Sequence, residues 1–267
     1  RVSLTLSGEP HLGHFWMALA NSAWAPDGKI ILRFEDITAM HCVGGATTVN
    51  MHEFARKSEK LLTQFQIPIL KVSWQSEYKD ECEGINQEKF NGLLSWDITF
   101  WRSRIRHFGI PPLNFAGESP LMAQLSRVVA DHHDKIGYVI RGSELAAEKE
   151  AYWIMWHMAF PETPREERPF VWFIPEVMQP EGKISKSSIV SRSYALANLN
   201  ISPELIAVHL INNQMLPNSV AGTLGDHITG GKEGLFDRLR AYIRLASFNP
   251  CPPAVNEEIL ESWSHGF

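Results

Sequence analysis

Three things are scarce in this sequence: cysteine, long apolar runs and positive charge. The three cysteines, Cys42, Cys82 and Cys251, lie far apart and form neither a metal-spaced pair nor a disulfide framework, which is typical of a reducing compartment. No apolar run reaches the roughly 18 residues that suggest a membrane-spanning helix. No charged start followed by an apolar core is visible, although the chain opens at Arg1 rather than Met. We therefore expect a cytoplasmic protein with no membrane partner.

The charge balance argues against one class of partner. The net charge is -5, which disfavours strong non-specific binding to nucleic acid. The 267 residues are 44% hydrophobic and 21% charged, an ordinary globular composition. The length allows a sizeable core and more than one lobe.

The first 34 residues predict a strand, a helix and a second strand. In "RVSLTLS" apolar and polar residues alternate, which indicates a strand, and Gly8-Glu9-Pro10 ends it. Apolar residues then recur at helical spacing, and after a turn at Pro26-Asp27-Gly28 the segment "KIILRF" is typical of a buried strand. A unit of this kind predicts an α/β fold with a parallel sheet.

The same alternation continues along the chain. It predicts a helix near 51–65, strands at "ILKVSW", "YVIR" and "FVWFI", and helices after Gln75-Ser76, near 121–129 and at 145–160. We interpret 1–200 as one Rossmann-type domain with a short irregular insertion at about 93–120. Residues 201–267 are predicted to form a small helical C-terminal lobe.

"GEPHLGH" is the predicted first strand-to-helix turn. A helix N-terminus offers amide hydrogens and the positive end of a dipole to a phosphate. His11 and His14 can donate hydrogen bonds to phosphate oxygens, and Gly13 lets a ligand approach closely. The alternative is a capped amphipathic helix with two surface histidines.

A second polar stretch, "GKISKSS", follows the last predicted strand. Lys183 and Lys186, with hydroxyl side chains beside them, can close on a polyphosphate that gains charge in a transition state. On its own such a stretch is more often a solvated polar loop. The two stretches in this order, at the edge of one parallel sheet, predict a site for a polyphosphate.

"HLGH" and "KISKS" resemble the two signatures of class I aminoacyl-tRNA synthetases. The opening 14 residues with "GKIILRFEDIT" resemble the first unit of the glutamyl branch, "SWQSEY" resembles its "RQSER" element, and "DHHDKIGYVIRGSEL" resembles its "DDHxxGITHVIRGEDH" element. The resemblance covers roughly residues 1–90 and 121–210. It implies a Rossmann-type catalytic domain that binds ATP and an amino acid.

The resemblance also implies roles for individual residues. His11, Gly13 and His14 would contact ATP, and Lys183, Ser185 and Lys186 would hold its phosphates, with Lys186 the main contributor. Arg1, Ser3, Thr5, Glu35 and Arg141 align with positions that hold the amino acid. Taken without the family, Glu35 also fits helix capping or a surface pair, and Arg141 fits a structural salt bridge.

The sequence departs from the branch in its substrate pocket. Where the branch carries a tyrosine and an asparagine, an ungapped count back from Arg141 reaches Ala123 and Arg127. The long insertion that handles the tRNA acceptor end is reduced, and no cysteine-rich zinc element or anticodon-binding domain is expected. The altered pocket predicts a carboxylate-bearing amino acid, glutamate or a bulkier analogue.

The resemblance implies an AMP-forming ligase that uses ATP, with Mg²⁺ brought by ATP, to make an aminoacyl adenylate. The acceptor would be tRNA by family default, although with reduced contacts. The alternatives are a ligase acting on a small amine, carrier or peptide, and a catalytically silent paralogue. We expect no metal site at "DHHD" (131–134). The arginines of "WRSRIRH" could grip an RNA end or form a solvated basic face. The oligomeric state is left open.

Overall fold

The computed structural model describes most of the chain. The described residues are 1–6, 9–41, 48–96, 121–179, 182, 183, 199, 201–229, 231, 233–249, 252, 255 and 262. The predicted insertion therefore lies outside the described residues, apart from 93–96. So does the lysine loop beyond Lys183.

The first half of the chain forms a three-stranded parallel sheet. Its strands are β1 (Val2–Thr5), β2 (Ile30–Glu35) and β3 (Ile69–Trp74), in the order β1-β2-β3. The linking helices are α1 (Leu12–Trp24), α2 (Asp36–His41) and α3 (Thr48–Gln64). The turn before β2 is tight because Asp27 and Gly28 both take positive φ, at 52° and 69°. This confirms the α/β fold with a parallel sheet.

A second parallel pair follows in the chain. After α4 (Lys79–Phe90) and α5 (Leu121–His133), β4 (Tyr138–Gly142) pairs in parallel with β5 (Phe170–Ile174). A 3₁₀ helix (Ser143–Glu148) and α6 (Lys149–Ala159) connect these two strands. The amide of Asn21 on α1 bonds both the backbone N–H and the carbonyl oxygen of Ile140, which ties β4 to the first unit.

Short elements complete the fold. An antiparallel pair, β6 (Met178–Gln179) and β7 (Gly182–Lys183), precedes the helices α7 (Pro203–Gln214), α8 (Leu224–Ile228) and α9 (Leu235–Leu245). A last antiparallel pair joins β8 (Met215–Leu216) to β9 (Ser247–Phe248). Within the described part, no helix is both long and apolar enough to cross a membrane.

The C-terminal helices share their core with the N-terminal unit. Leu210 on α7 and Tyr242 on α9 belong to the same buried cluster as Leu4 on β1 and Phe15 on α1. The described part of the predicted lobe is therefore helical and packs against α1. The boundary at residue 200 stays a prediction.

The two faces of the first sheet differ in chemistry. The strand register places Val2 opposite Leu32 and Leu4 opposite Phe34, all buried in the main apolar cluster. The other face carries the pairs Ser3–Arg33 and Thr5–Glu35 in the same register. Because side chains alternate along a strand, every second residue faces the polar side. Helix α5 covers that side, and the charged groups between them form the candidate site.

Candidate active site

The first strand-to-helix turn is stabilised by its own histidines. His11 is the N-cap of α1, and its Nδ1 accepts a hydrogen bond from the Gly13 N–H at 3.1 Å. The His14 Nδ1 in turn accepts from the His11 N–H at 3.2 Å. The two rings stack with centroids 3.8 Å apart. "HLGH" is therefore a reciprocal cap, which satisfies two of the N–H groups that a helix start leaves unpaired.

This cap fixes the tautomers of both rings. A neutral imidazole has one accepting nitrogen and one N–H donor. Because Nδ1 accepts in His11 and in His14, each ring carries its proton on Nε2. The cap therefore uses the Nδ1 of each ring, and phosphate binding by these histidines stays a prediction.

Gly13 makes room for a side chain of the same turn. A Cβ added at Gly13 would lie 3.0 Å from the His11 Cε1 and 3.2 Å from its Nδ1. The glycine thus permits the stacked histidine pair. Close approach of a ligand at this position stays a prediction.

The approach to the lysine loop is anchored to α1. The Trp16 indole N–H donates to the Pro175 carbonyl oxygen at 3.2 Å, just after β5. Ile174 and Val177 are buried in the same cluster as α1. Lys183 follows on β7, paired with Met178. The chain leading to the second motif is therefore held against the helix that begins with the first. Ser185 and Lys186 lie outside the described residues.

A row of α5 residues faces the polar side of the sheet. Ala123, Arg127 and Asp131 are spaced four apart and therefore lie along one side of the helix. Arg127 reaches Glu35 and Asp131 reaches Arg1. Ala123 is fully buried, and its carbonyl oxygen accepts from the Ser126 hydroxyl at 2.8 Å. Added room at this position for a substrate stays a prediction.

Arg127 is the centre of the first ion-pair group. Its Nε donates to the Glu35 Oε1 at 2.7 Å and its Nη2 to the Oε2 at 2.9 Å, a bidentate pair. Its Nη1 reaches the Oε2 of Glu148 at 3.1 Å. The same oxygen accepts from Arg141 at 2.7 Å and from the Gln124 amide at 2.5 Å. Thr5 adds a hydroxyl donor to Glu35 at 3.2 Å.

Arg1 forms the second ion-pair group. Its guanidinium binds both carboxylate oxygens of Asp131, one of them from Nη2 at 2.8 Å, and donates to the Ser3 hydroxyl. The Tyr152 hydroxyl on α6 also donates to Asp131, at 2.7 Å. Arg1 and Asp131 are both buried. The carboxylate of Asp131 therefore positions an arginine.

Arg33 lies in the same polar layer with fewer partners. Its Nη2 donates to the Ser126 hydroxyl at 2.9 Å, and its guanidinium carbon lies 5.9 Å from the centre of the Tyr78 ring. Among the described residues, its Nε and Nη1 have no hydrogen-bond partner. The side chain is fully buried. A buried arginine with two unused donors is unusual, because burying a charge is unfavourable unless it is paired.

The protonation equilibria follow from burial and from these pairs. Burial favours the neutral carboxyl of Glu35, but the Arg127 guanidinium outweighs it and holds the pKa of Glu35 well below its usual range. Burial likewise opposes the charge of Arg127, yet Glu35 raises the pKa of Arg127. Arg33 has no such partner, so that burial and then the nearby Arg1 lower its pKa to about 10.

Most of the predicted substrate residues thus converge. Arg1, Ser3, Thr5, Glu35, Arg127 and Arg141 all join the charged layer between the sheet and α5. The sequence interpretation missed Glu148 and Arg33, and it considered Asp131 only within "DHHD", where no metal site was expected. Asp131 continues the row of Ala123 and Arg127, a periodic signal that was available. Glu148 stands in "LAAEKE" with no comparable signal, because only the fold of the 3₁₀ helix turns it toward Arg141.

Two solved structures resemble this architecture. The glutamate tRNA ligase from Elizabethkingia meningosepticum, solved in complex with its amino acid, superposes with a TM-score of 0.64 at 14% identity. The overlap covers 98% of this chain and 68% of that one. The glutamate-tRNA synthetase from Elizabethkingia anophelis gives a TM-score of 0.62 at 14% identity, with 98% and 69% covered. This chain has a glutamate-tRNA-ligase-like fold.

The likeness rests on structure alone. No protein-family model and no curated protein matches the chain by sequence. The glutamate-tRNA-ligase-like fold confirms the Rossmann-type domain that the two motifs predicted. Within this fold, the charged layer includes residues of β1, and the histidine cap begins the helix that follows this strand.

Proposed function

We propose that this protein activates the carboxylate of an acidic amino acid, glutamate or an analogue, with ATP. A carboxylate oxygen bonds to the α-phosphorus of ATP while the bond from that phosphorus to the oxygen bridging to the β-phosphate breaks. The products are an acyl adenylate and pyrophosphate. The observation that carries the proposal is the reciprocal cap at the start of α1, which places two stacked imidazole rings at a helix N-terminus, where a phosphate is favoured.

Each part of the site has a separate task in this reaction. His11 and His14 donate to the phosphates, and Lys183, Ser185 and Lys186 balance the charge that develops on the leaving pyrophosphate. The arginines of the charged layer attract the acid. No covalent intermediate with the enzyme is needed, because positioning and charge stabilisation suffice. In the described part of the chain, no three acidic, histidine or cysteine side chains cluster to hold a metal. Mg²⁺ would arrive bound to ATP.

Substitution of the motif residues tests this activity. We expect His14→Ala and Lys186→Ala each to lower pyrophosphate exchange by about two to three orders of magnitude, the usual loss for one transition-state donor. His157→Ala, which removes an exposed histidine of α6, is the matched control and should keep wild-type exchange. Near wild-type rates in both motif variants would reject the proposal.

The acceptor of the acyl group can be tested separately. tRNA is the default that the fold suggests, and a small amine, carrier or peptide is the alternative. A net charge of -5 weakens electrostatic capture of tRNA, because phosphate contacts dominate such affinity. We therefore expect adenylate formation without tRNA, and tRNA binding that weakens steeply with salt.

Nuclease-treated enzyme is the sample for that measurement. Exchange should persist after treatment, and a titration with bulk tRNA should show weak binding. Exchange that disappears on treatment and returns with added tRNA would contradict the expectation. That outcome would support an ordinary tRNA ligase.

One observation favours a silent paralogue as the second candidate. Arg1, Arg127 and Arg141 each bind an internal carboxylate, so that part of their charge is already used within the chain. A silent paralogue would bind neither ATP nor acid productively. Exchange with any acid in a panel separates the two candidates.

A further inference from the structure

The charged layer contains more positive than negative groups. Its buried guanidinium groups belong to Arg1, Arg33, Arg127 and Arg141, and its buried carboxylates belong to Glu35, Asp131 and Glu148. Among the residues that the structure describes, four cations therefore face three anions, an excess of one positive charge. A buried charge without a partner of opposite sign is unfavourable. The layer therefore favours an anionic ligand over a cationic group.

The carboxylates are also occupied. Both oxygens of Glu35 bind Arg127, and both oxygens of Asp131 bind Arg1, with Tyr152 as a further donor. Glu148 uses one oxygen for Arg127, Arg141 and Gln124. Within the described part of the layer, an ammonium group would find each of these three carboxylates already paired with a guanidinium.

One acceptor is left over. Among the described residues, the Oε1 of Glu148 has no hydrogen-bond partner, although the atom is buried. A buried acceptor without a donor is destabilising, and it marks a place where a ligand donor is favoured. Two guanidinium groups already lie on the other oxygen of this carboxylate. The donor that fits is therefore neutral, such as an amide N–H or a hydroxyl.

The excess charge acts on Arg141, whose buried guanidinium binds Glu148. Its side chain is 9% exposed, compared with 7% for Arg127 and 3% for Arg1. Burial, followed by repulsion from Arg127, lowers the pKa of Arg141 despite the attraction of Glu148. A bound carboxylate would relieve this repulsion, whereas an ammonium group would add to it.

We propose that the site selects a carboxylic acid that carries a neutral donor, an acylated amine or a hydroxyl, in place of a free α-ammonium group. Arg127 is the specificity-determining residue, because its bidentate pair fills the Glu35 carboxylate. This inference rests on the proposed function and names its substrate class. Like charges placed together at an interface lower affinity by a factor on the order of 100 or more.

The test compares acids that share one carbon skeleton. L-Glutamate, N-acetyl-L-glutamate and 2-hydroxyglutarate are measured by titration calorimetry and by pyrophosphate exchange on the full chain. We expect the acetylated or the hydroxylated acid to bind about 100-fold more tightly than glutamate, and to give the higher exchange rate. The affinities of the three acids for the wild-type protein test the substrate preference by themselves, even if a variant does not fold.

Two variants assign the preference to Arg127. Arg127→Asn frees the Glu35 carboxylate and should shift the preference toward glutamate by at least about tenfold. Arg165→Asn removes an exposed arginine before β5 and should leave the ratio of affinities unchanged. A purely structural role of Arg127 would weaken all three acids equally and leave this ratio as it is.

The outcomes separate this inference from the proposed function. Tighter binding of the acetylated or hydroxylated acid without exchange would support the inference and reject activation by ATP. Exchange with glutamate preferred by the wild type would support activation and overturn the inference. Failure of all three acids to bind would overturn it as well, and so would an unchanged ratio in Arg127→Asn.

Discussion

The two faces of the β1–β2–β3 sheet are stabilised in opposite ways. On one face, Leu4, Leu32 and Phe34 pack into a single apolar cluster that extends to α1 and α9. On the other, Glu35 and its neighbours form buried ion pairs with α5. Apolar contacts are non-directional and roughly proportional to area. Ion pairs depend on every partner being present, so the second face contributes specificity more than stability.

The largest expected effect comes from breaking one pair on the charged face. Arg127→Met leaves Glu35 buried without its guanidinium and should lower the free energy of unfolding by about 3–5 kcal/mol. The double variant Arg127→Met with Glu35→Met should recover at least about half of this loss, because it removes the stranded charge. Urea unfolding measures both values.

The apolar face supplies the contrast for that experiment. Leu4 and Phe34 are opposite each other in the strand register. Leu4→Ala should cost about 2–5 kcal/mol, and adding Phe34→Leu should cost more, since a second truncation removes further contacts. The contrast is established if the second substitution restores stability on the charged face and lowers it further on the apolar face. It is contradicted if the variant with both Arg127→Met and Glu35→Met loses as much stability as its two single variants together.

The sequence predicted the apolar face better than the charged one. Alternation in "RVSLTLS" and helical spacing after Pro10 depend on local periods of two and about 3.6 residues, which can be read from a single chain. The parallel sheet and β3, β4 and β5 followed from that logic. The partners of the charged layer could not be predicted, because Glu35 and Arg127 are 92 residues apart and their pairing is set by the packing of α5. Without the resemblance, the sequence favoured a structural salt bridge for Arg141, and this residue does bind Glu148.

Acidification should distinguish the charged face from the apolar face by a smaller change in the free energy of unfolding. Arginine neighbours outweigh burial and hold the pKa values of Glu35 and Glu148 below their usual range. A depressed carboxylate stabilises the fold above its unfolded pKa of about 4.3, and that stability is lost as the pH falls. The free energy of unfolding should therefore decline below about pH 5, by up to about 1.4 kcal/mol per pH unit for each carboxylate.

Variants of the two faces test which groups cause this pH dependence. In Leu4→Ala, the free energy of unfolding should fall with pH at the wild-type slope, because no titrating group is changed. Its value should be lower than that of the wild type at every pH. Arg127→Met should show a shallower decline, because burial then favours a protonated Glu35 in the folded state already. Urea unfolding at pH 7, 5 and 4 measures each slope. Parallel curves for Arg127→Met and the wild type would mean that the pair does not govern the titration.

The smallest expected effect has the opposite sign. Arg33 is fully buried between the sheet and α5, with a single hydrogen bond to Ser126 and, within the described residues, two unpartnered donors. Arg33→Met keeps the length of the side chain and removes the uncompensated charge. The Ser126 hydroxyl keeps the Gln75 amide as a donor at 2.9 Å, so that the substitution strands no polar atom there. Replacing a buried charge by a hydrophobic side chain of similar volume is often neutral or stabilising. We therefore expect the free energy of unfolding to stay constant or to rise by about 1 kcal/mol.

Affinity for a carboxylic acid should fall in the same variant, because the layer loses its excess positive charge. A fall of more than about 1 kcal/mol in unfolding free energy would show that Arg33 stabilises the fold, and the charged face would then resemble the apolar face in this respect.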